Sequence, residues 1–212
     1  MVDLAVLVPT VNRADLLENL VTNIHETTVT PHVIYLIIEV DDPGSWEVAR
    51  HLDAVCVAGD FGSNAAAVNN GYWASTEPFV AIVNDDCRFI PGWDTIALSY
   101  MSDQVHIVGI NQGDGRCQSF SMVRRAFIEK HSGVYDAPNT LYHEYASQFP
   151  DTEFAEYAQH RGVWADAPDS VIEHLHWVFG KGDPDHPNYV KARDTFAQDS
   201  AVYEERRRQW AA

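Results

Sequence analysis

Four short apolar runs, each followed by a segment of helical spacing, fill the first ninety residues and leave few folds open. Leu4–Val8, Val33–Val40, Ala54–Val57 and Phe79–Val83 read as strands. The second run is almost wholly apolar and is expected to be buried on both faces. Between the runs, Asn12 or Asp15 can cap a helix through about Glu26, with Leu16, Leu17, Leu20 and Ile24 along one side. Ser45–His51 suits a short helix and Asn64–Ser75 an alanine-rich one. Strands at this spacing with helices between them mean parallel βαβ units in an open, doubly wound sheet. In such sheets ligands sit outside the carboxyl ends of the strands. The polar clusters Pro9-Thr10, Asp41-Asp42 and Asn84-Asp85-Asp86 fall there.

After residue 90 the rhythm changes. Trp93–Met101, Arg125–His131 and Asp151–His160 look helical, and His106–Ile110, Gln118–Val123 and Val171–Trp177 look like strands. Gly180 to Pro187 reads as a loop, and Tyr189–Trp210 as a polar, charged helix.

A chain of 212 residues suits one domain and can bury its own core. No apolar run reaches the roughly 18–20 residues of a membrane span. Asp3 and Pro9 make the opening segment a first strand and not a signal peptide. The net charge of −17 argues against nonspecific binding to polyanions or anionic membranes. Only Arg13 and Arg50 precede residue 80, so a phosphate-facing field must come mostly from the second half. Cys56, Cys87 and Cys117 form no CxxC pair, which suits inert thiols in the cytoplasm.

Several clusters can carry chemistry. The run Val80 to Asp86 leads a buried strand into an amide and two adjacent carboxylates. Such acids repel each other unless donors or a cation neutralise them; a hard divalent ion on a diphosphate would do so, and so would a solvated turn. His174 and His176 share one face if their segment is extended. Imidazole favours Mn, Fe, Co or Zn over Mg, so one of them with Asp86 and diphosphate oxygens would suit Mn²⁺. The alternatives are two structural histidines, or a zinc hydrolase resting on HxH alone. Asp151, at the start of the expected helix, can be a cap or a general base. Gly59 to Gly71 has the small residues of a helix packed tightly on a sheet or a ligand. It is not GxGxxG, and neither a P-loop nor a GxSxG elbow occurs in the chain. Arg13, Arg124, Arg125, Lys181, Lys191 and Arg193 are surface charges or phosphate contacts, and Arg206–Arg208 a solvated helix face.

The order of these pieces resembles family-2-like glycosyltransferases of the GT-A fold. Its carriers are Val8-Pro9-Thr10-Val-Asn-Arg13, Glu39-Val-Asp41-Asp42, Gly62-x-Asn64 with Asn69-x-Gly71, and Asn84-Asp85-Asp86 with Pro91-Gly-Trp93. Phe120 to Arg125 with Gly133 to Asp136, then Asp151-x-Glu153-Phe, and then His174 and His176 complete the series. The likeness covers roughly residues 4–177. It departs at Asn84, where the family's DxD usually begins with Asp.

The resemblance implies an α/β GT-A domain spanning 1–212, with a mostly parallel central sheet flanked by helices. Residues 1–90 would form the nucleotide-sugar half, 91–180 the acceptor half and 188–210 a C-terminal helix. The implied activity is inverting transfer from a nucleoside-diphosphate sugar, a UDP-sugar foremost, to an acceptor hydroxyl. Pro9, Thr10, Arg13, Asp41, Asp42, Asn64, Asn69, Asn84, Asp85 and Lys181 would contact the donor. Mn²⁺ or Mg²⁺ would be held by Asp86 with His174 or His176. Asp151 would be the base, with Glu153 the second choice, although two positions along a helix turn it about 200° away. Small transferases of this kind also occur in phages, where the location is the host cytoplasm and the acceptor can be a hypermodified DNA base. The net charge disfavours a nucleic acid, while cations after residue 80 keep it open. The rival readings are a nucleotidyltransferase and a nucleotide-sugar-binding protein without turnover.

Overall fold

The computed structural model describes residues 3–131 and 139–211. The Gly133 to Asp136 motif lies outside the described residues. In chain order the elements are β1 (Leu4–Thr10), α1 (Ala14–Thr27), β2 (His32–Glu39), α2 (Pro43–Ala49), β3 (Val55–Gly59), α3 (Asn64–Ala74), β4 (Phe79–Ile82) and β5 (Cys87–Phe89). They continue with α4 (Trp93–Ser99), β6 (Ile107–Asn111), β7 (Phe120–Arg124), α5 (Arg125–His131), α6 (Pro150–His160) and β8 (Trp164–His174). A 3₁₀ turn, Trp177–Phe179, then leads to α7 (Pro187–Trp210).

One sheet of eight strands runs in the order β3-β2-β1-β4-β7-β6-β8-β5. β1 pairs in parallel with β2 and β4, β2 with β3, and β6 with β8. β7 is antiparallel to both β4 and β6, and β5 to β8. The parallel half is the βαβ unit expected from the apolar runs.

Period-two alternation divides the core between the two faces of the sheet. Leu4, Val6, Val8, Ile34, Leu36 and Ile38 pack against Leu17, Leu20 and Ile24 of α1 and Trp93 of α4. Ala5, Leu7, Tyr35 and Ile37 face Val68 and Tyr72 of α3 and Phe154 of α6. Gly71 is what lets α3 settle on the sheet, because a Cβ there would stand 2.7 Å from Ile37 Cδ1. This helix–sheet contact is one of the two uses open to the small-residue run.

Two local expectations are corrected, and one strand is new. Neither Asn12 nor Asp15 caps α1: Arg13 occupies the N-cap without a side-chain bond, and Asn12 adopts φ 55 in the turn before it. β5 escaped the sequence reading because three residues show no period. It is fixed instead by Asn23 of α1, which accepts from Phe89 N at 2.6 Å and donates to Phe89 O at 3.2 Å. β8 begins seven residues earlier than expected, since Asp166, Pro168 and Asp169 mask its pattern. Among the described residues no helix is long and apolar enough to cross a membrane.

Candidate active site

The carboxyl ends of β1, β2 and β4 open into one cleft of about 660 Å³. Ten of the fifteen site residues implied by the resemblance line it: Pro9, Thr10, Arg13, Asn64, Asn84, Asp85, Asp86, Asp151, His174 and His176.

Strand register brings the acidic turn to the late histidine. Cys87 stands opposite His174 on the antiparallel β5–β8 ladder, and Leu175 N donates to Asp86 O at 2.8 Å. Asp86 Oδ1 thereby lies 3.2 Å from His174 Nε2. On its other side, Asp86 Oδ2 accepts from Tyr189 Oη at 2.5 Å and forms an ion pair with Arg13 Nη1 at 3.0 Å. The same guanidinium nitrogen is 3.2 Å from Asp85 Oδ1. Asn84 Nδ2 is 3.4 Å from His174 Nε2.

These groups are buried, so each charge depends on its neighbours. Burial raises the Asp85 carboxyl to about 7, with Asp86 adding to the shift and Arg13 opposing it. Burial works against the Asp86 carboxylate too, but His174, Arg13 and Tyr189 outweigh it and hold its pKa below the usual range. For Arg13, the two carboxylates overcome the cost of burial and keep the guanidinium charged. Burial, then the neighbouring His174, lowers His176 to about 4, so this ring is neutral. His176 Nδ1 accepts from Val178 N at 3.2 Å; His174 is the ring set against Asp86.

The residues fit a divalent ion in their chemistry and spacing. Two cis ligands at roughly 2.1 Å from one ion stand about 3.0 Å apart. The 3.2 Å between Asp86 Oδ1 and His174 Nε2 is close to that bite. Among the described residues no group of three His, Cys, Asp or Glu side chains converges as a metal site. An ion here would therefore take its other ligands from a bound substrate or water.

Across the cleft, α6 begins at Pro150, and Asp151 stands in its first turn. Its Oδ1 accepts from Thr152 N at 2.8 Å. Burial raises the Asp151 carboxyl, against the pull of the Thr152 amide and of His174.

Five expected site residues do not reach this cleft. Asp42 caps α2, accepting from Ser45 N at 3.1 Å and from Asn12 N at 2.6 Å, and Asp41 is exposed in the same turn. Asn69 instead fixes the cleft wall, donating to Tyr142 O at 2.8 Å and accepting from Leu141 N at 2.9 Å. Glu153 is buried on the other side of α6, accepting from Tyr145 Oη at 2.8 Å and from Arg206 Nε at 2.9 Å. Lys181 pairs with Glu173 outside the cleft. The helical turn that separates residues 151 and 153 is the physical reason only one faces the ligand space.

A family model for glycosyl transferase family 2 matches residues 5–155, most of the chain. The chain belongs to glycosyl transferase family 2. No curated protein sequence gives a match. Among solved structures, a mannosyltransferase from Pyrobaculum calidifontis in complex with GDP-Man and Mn²⁺ has a TM-score of 0.69 at 17% identity. That match covers 97% of this chain and 64% of the other. Glucosyl-3-phosphoglycerate synthase from Mycobacterium tuberculosis, with Mn²⁺, UDP and phosphoglyceric acid, has a TM-score of 0.60 at 11% identity, covering 82% and 71%. TarS from S. aureus, with UDP, has 0.65 at 12% identity, covering 80% of this chain and 59% of that one. This chain thus spans less than two thirds of the length of the first and third. The fold is that of the GT-A glycosyltransferases.

In this family-2 domain, the resemblance gave no site role to several further residues in and around the cleft. Glu39, and not Asp41 or Asp42, lines the cleft at the end of β2. Its carboxylate accepts from Phe61 N at 2.9 Å and Gly62 N at 3.2 Å. Lys191 Nζ donates to Gly62 O at 2.7 Å. Asp199, buried in α7, accepts from Ala146, Ser147 and Gln148 N, each at 2.8 Å. Phe149 follows at φ 75, a conformation non-glycine residues seldom adopt; its ring stacks on Tyr203 of α7 at 5.0 Å. Nothing local in α7 marks them: Asp199 is one of four acids in that helix and Tyr203 one of four aromatics.

Proposed function

We propose that this domain transfers a sugar from a nucleoside-diphosphate sugar, a UDP-sugar foremost, to an acceptor hydroxyl with inversion at the anomeric carbon. One observation carries the reading: a carboxylate with a raised pKa, Asp151, and the Asp86–His174 pair line the same cleft. The relatives solved with nucleotides and Mn²⁺ support it.

Thr10, Glu39 and Asn64 line the β1–β2 side of the cleft, where the nucleoside would lie. Arg13 and Lys191 turn positive charge toward the same space, in keeping with a diphosphate. Asp86 and His174 would hold Mn²⁺ or Mg²⁺, and a carboxylate–imidazole set favours Mn²⁺. Such an ion, when bound, neutralises charge on a leaving diphosphate. Asp151 takes the proton of the acceptor hydroxyl while its oxygen bonds to the anomeric carbon. The bond from that carbon to the diphosphate oxygen breaks on the opposite face, through an oxocarbenium-like transition state. Burial makes Asp151 a stronger base than a free carboxylate. The net charge of −17 favours a glycan, small-molecule or protein acceptor over a nucleic acid.

The test is a screen of UDP-, GDP- and dTDP-sugars with Mn²⁺ or Mg²⁺, following release of the nucleoside diphosphate. The expected product of transfer has the opposite anomeric configuration from the donor by NMR. A product that retains a nucleoside monophosphate by mass would overturn the reading in favour of nucleotidyl transfer.

A further inference from the structure

At the other end of the sheet from the cleft, His25 in the last turn of α1 faces His32, the first residue of β2. His25 Nδ1 lies 3.0 Å from His32 Nε2, and the rings are tilted by 32° with centroids 5.0 Å apart. The outer nitrogen of each ring meets a main-chain carbonyl. His25 Nε2 is 3.0 Å from Asp53 O, and His32 Nδ1 is 2.9 Å from Thr30 O.

A carbonyl oxygen only accepts, so each of these outer nitrogens carries its ring's proton. In a pair of neutral rings the two inner nitrogens are then bare lone pairs 3.0 Å apart. An electrophile must stand between them, either an extra proton or a metal ion. Imidazole ligands of metal ions are commonly oriented in this way, with the second nitrogen donating to a backbone carbonyl. The spacing agrees: two nitrogens at roughly 2.1 Å and a right angle about one ion are about 3.0 Å apart.

We propose that His25 Nδ1 and His32 Nε2 form a second metal site, for a divalent transition ion of the imidazole-preferring class such as Ni²⁺, Cu²⁺ or Zn²⁺. His25 is exposed and His32 half-buried, which leaves room for water to complete the coordination shell. Asp53 Oδ2, 3.9 Å from His25 Nε2, adds negative charge beside the pair. The ion closes the α1–β2 connection and so stabilises the native state by mass action. It shares no residue with the cleft and does not depend on the sugar-transfer reading.

The experiment uses the untagged full chain at pH 8, where free imidazole is neutral, with Ni²⁺ alone as the probe in calorimetry and thermal unfolding. The expected result is a site that survives in Asp86→Asn and weakens at least tenfold in both His25→Gln and His32→Gln. Ni²⁺ should raise the Tm of the parent chain and of Asp86→Asn, and should raise that of His25→Gln by less than that of the parent chain. A His25→Gln variant that binds Ni²⁺ with unchanged stoichiometry and affinity would overturn the proposal. A second readout needs no variant: on adding Zn²⁺, the imidazole nitrogen resonances of His25 Nδ1 and His32 Nε2 should shift together. A pair that stays unshifted at millimolar Zn²⁺ holds a proton only, and the proposal fails.

Discussion

Tyr189 Oη donates a 2.5 Å hydrogen bond to Asp86 Oδ2 from 103 positions further along the chain. The bond ties the start of α7 to the acid at the end of β4. The ring also lies against Arg13, whose guanidinium is 4.9 Å from the Tyr189 centroid. Tyr189→Phe keeps the ring and deletes only the hydroxyl. A hydrogen bond to a charged group contributes about 1.5–3 kcal/mol, and at this chain length each kcal/mol moves Tm by about 2–4 °C. Calorimetry should therefore show a loss of at least several degrees. An unchanged Tm would mean that the hydroxyl adds nothing to the fold.

Asp151→Asn should lower turnover by about 10²–10⁴-fold, the usual contribution of a general base, while donor affinity by calorimetry stays near that of the parent chain. The parent's pH–rate profile should show the same group. Burial raises the Asp151 carboxyl, so the acid limb of kcat/KM should lie above the pH range of a free carboxylate. Normal turnover in Asp151→Asn would remove it from the reaction.

Asp199 gathers three consecutive N–H groups of the loop that leads to Asp151. Asp199→Ala leaves those donors without their acceptor in a buried place, at a cost of about 1–3 kcal/mol or more. Urea unfolding should report that cost. The kinetic signature should be a larger fall in kcat than in donor affinity, because the loop leads to the proposed base and not to the proposed nucleotide contacts. A variant with reduced stability but unchanged kcat would limit Asp199 to holding the fold.

Asp42 gives a pH dependence of stability whose sign can be worked out. Burial pushes its carboxyl up, but hydrogen bonds from Ser45, Asn12 and Gly44 outweigh this and hold it below the ordinary value. A depressed carboxyl stabilises the fold above its unfolded pKa, about 3.9, and that contribution disappears as pH falls through the folded value. Denaturant midpoints for the parent and Asp42→Asn should differ at pH 6 and converge toward pH 2. A constant difference across that range would place the effect of the substitution elsewhere.

The parallel half of the fold was legible because β1, β2 and β4 are buried on both faces and read as apolar runs. β5 and the first part of β8 were not: one is too short for a period, and the other carries acids and a proline. In the cleft, Asp86, Asp151 and His174 could be found because motif order placed them at strand and helix ends. Glu39 was missed in favour of Asp41 and Asp42 because adjacent carboxylates draw the eye, while the last side chain of β2 is the one turned toward the ligand space. Glu153 and Lys181 were misplaced for a related reason. Their partners, Arg206 and Glu173, are distant in sequence, and nothing local shows a charge already committed elsewhere. Asp199 is the extreme case, one acid among many in a polar helix, with a role set entirely by a loop some fifty positions upstream.

The rung that sets Cys87 opposite His174 has an evolutionary consequence. Side chains alternate along a strand, so slipping that ladder by one residue would turn the imidazole away from Asp86. A length change within either strand of that rung would therefore part the imidazole from the carboxylate.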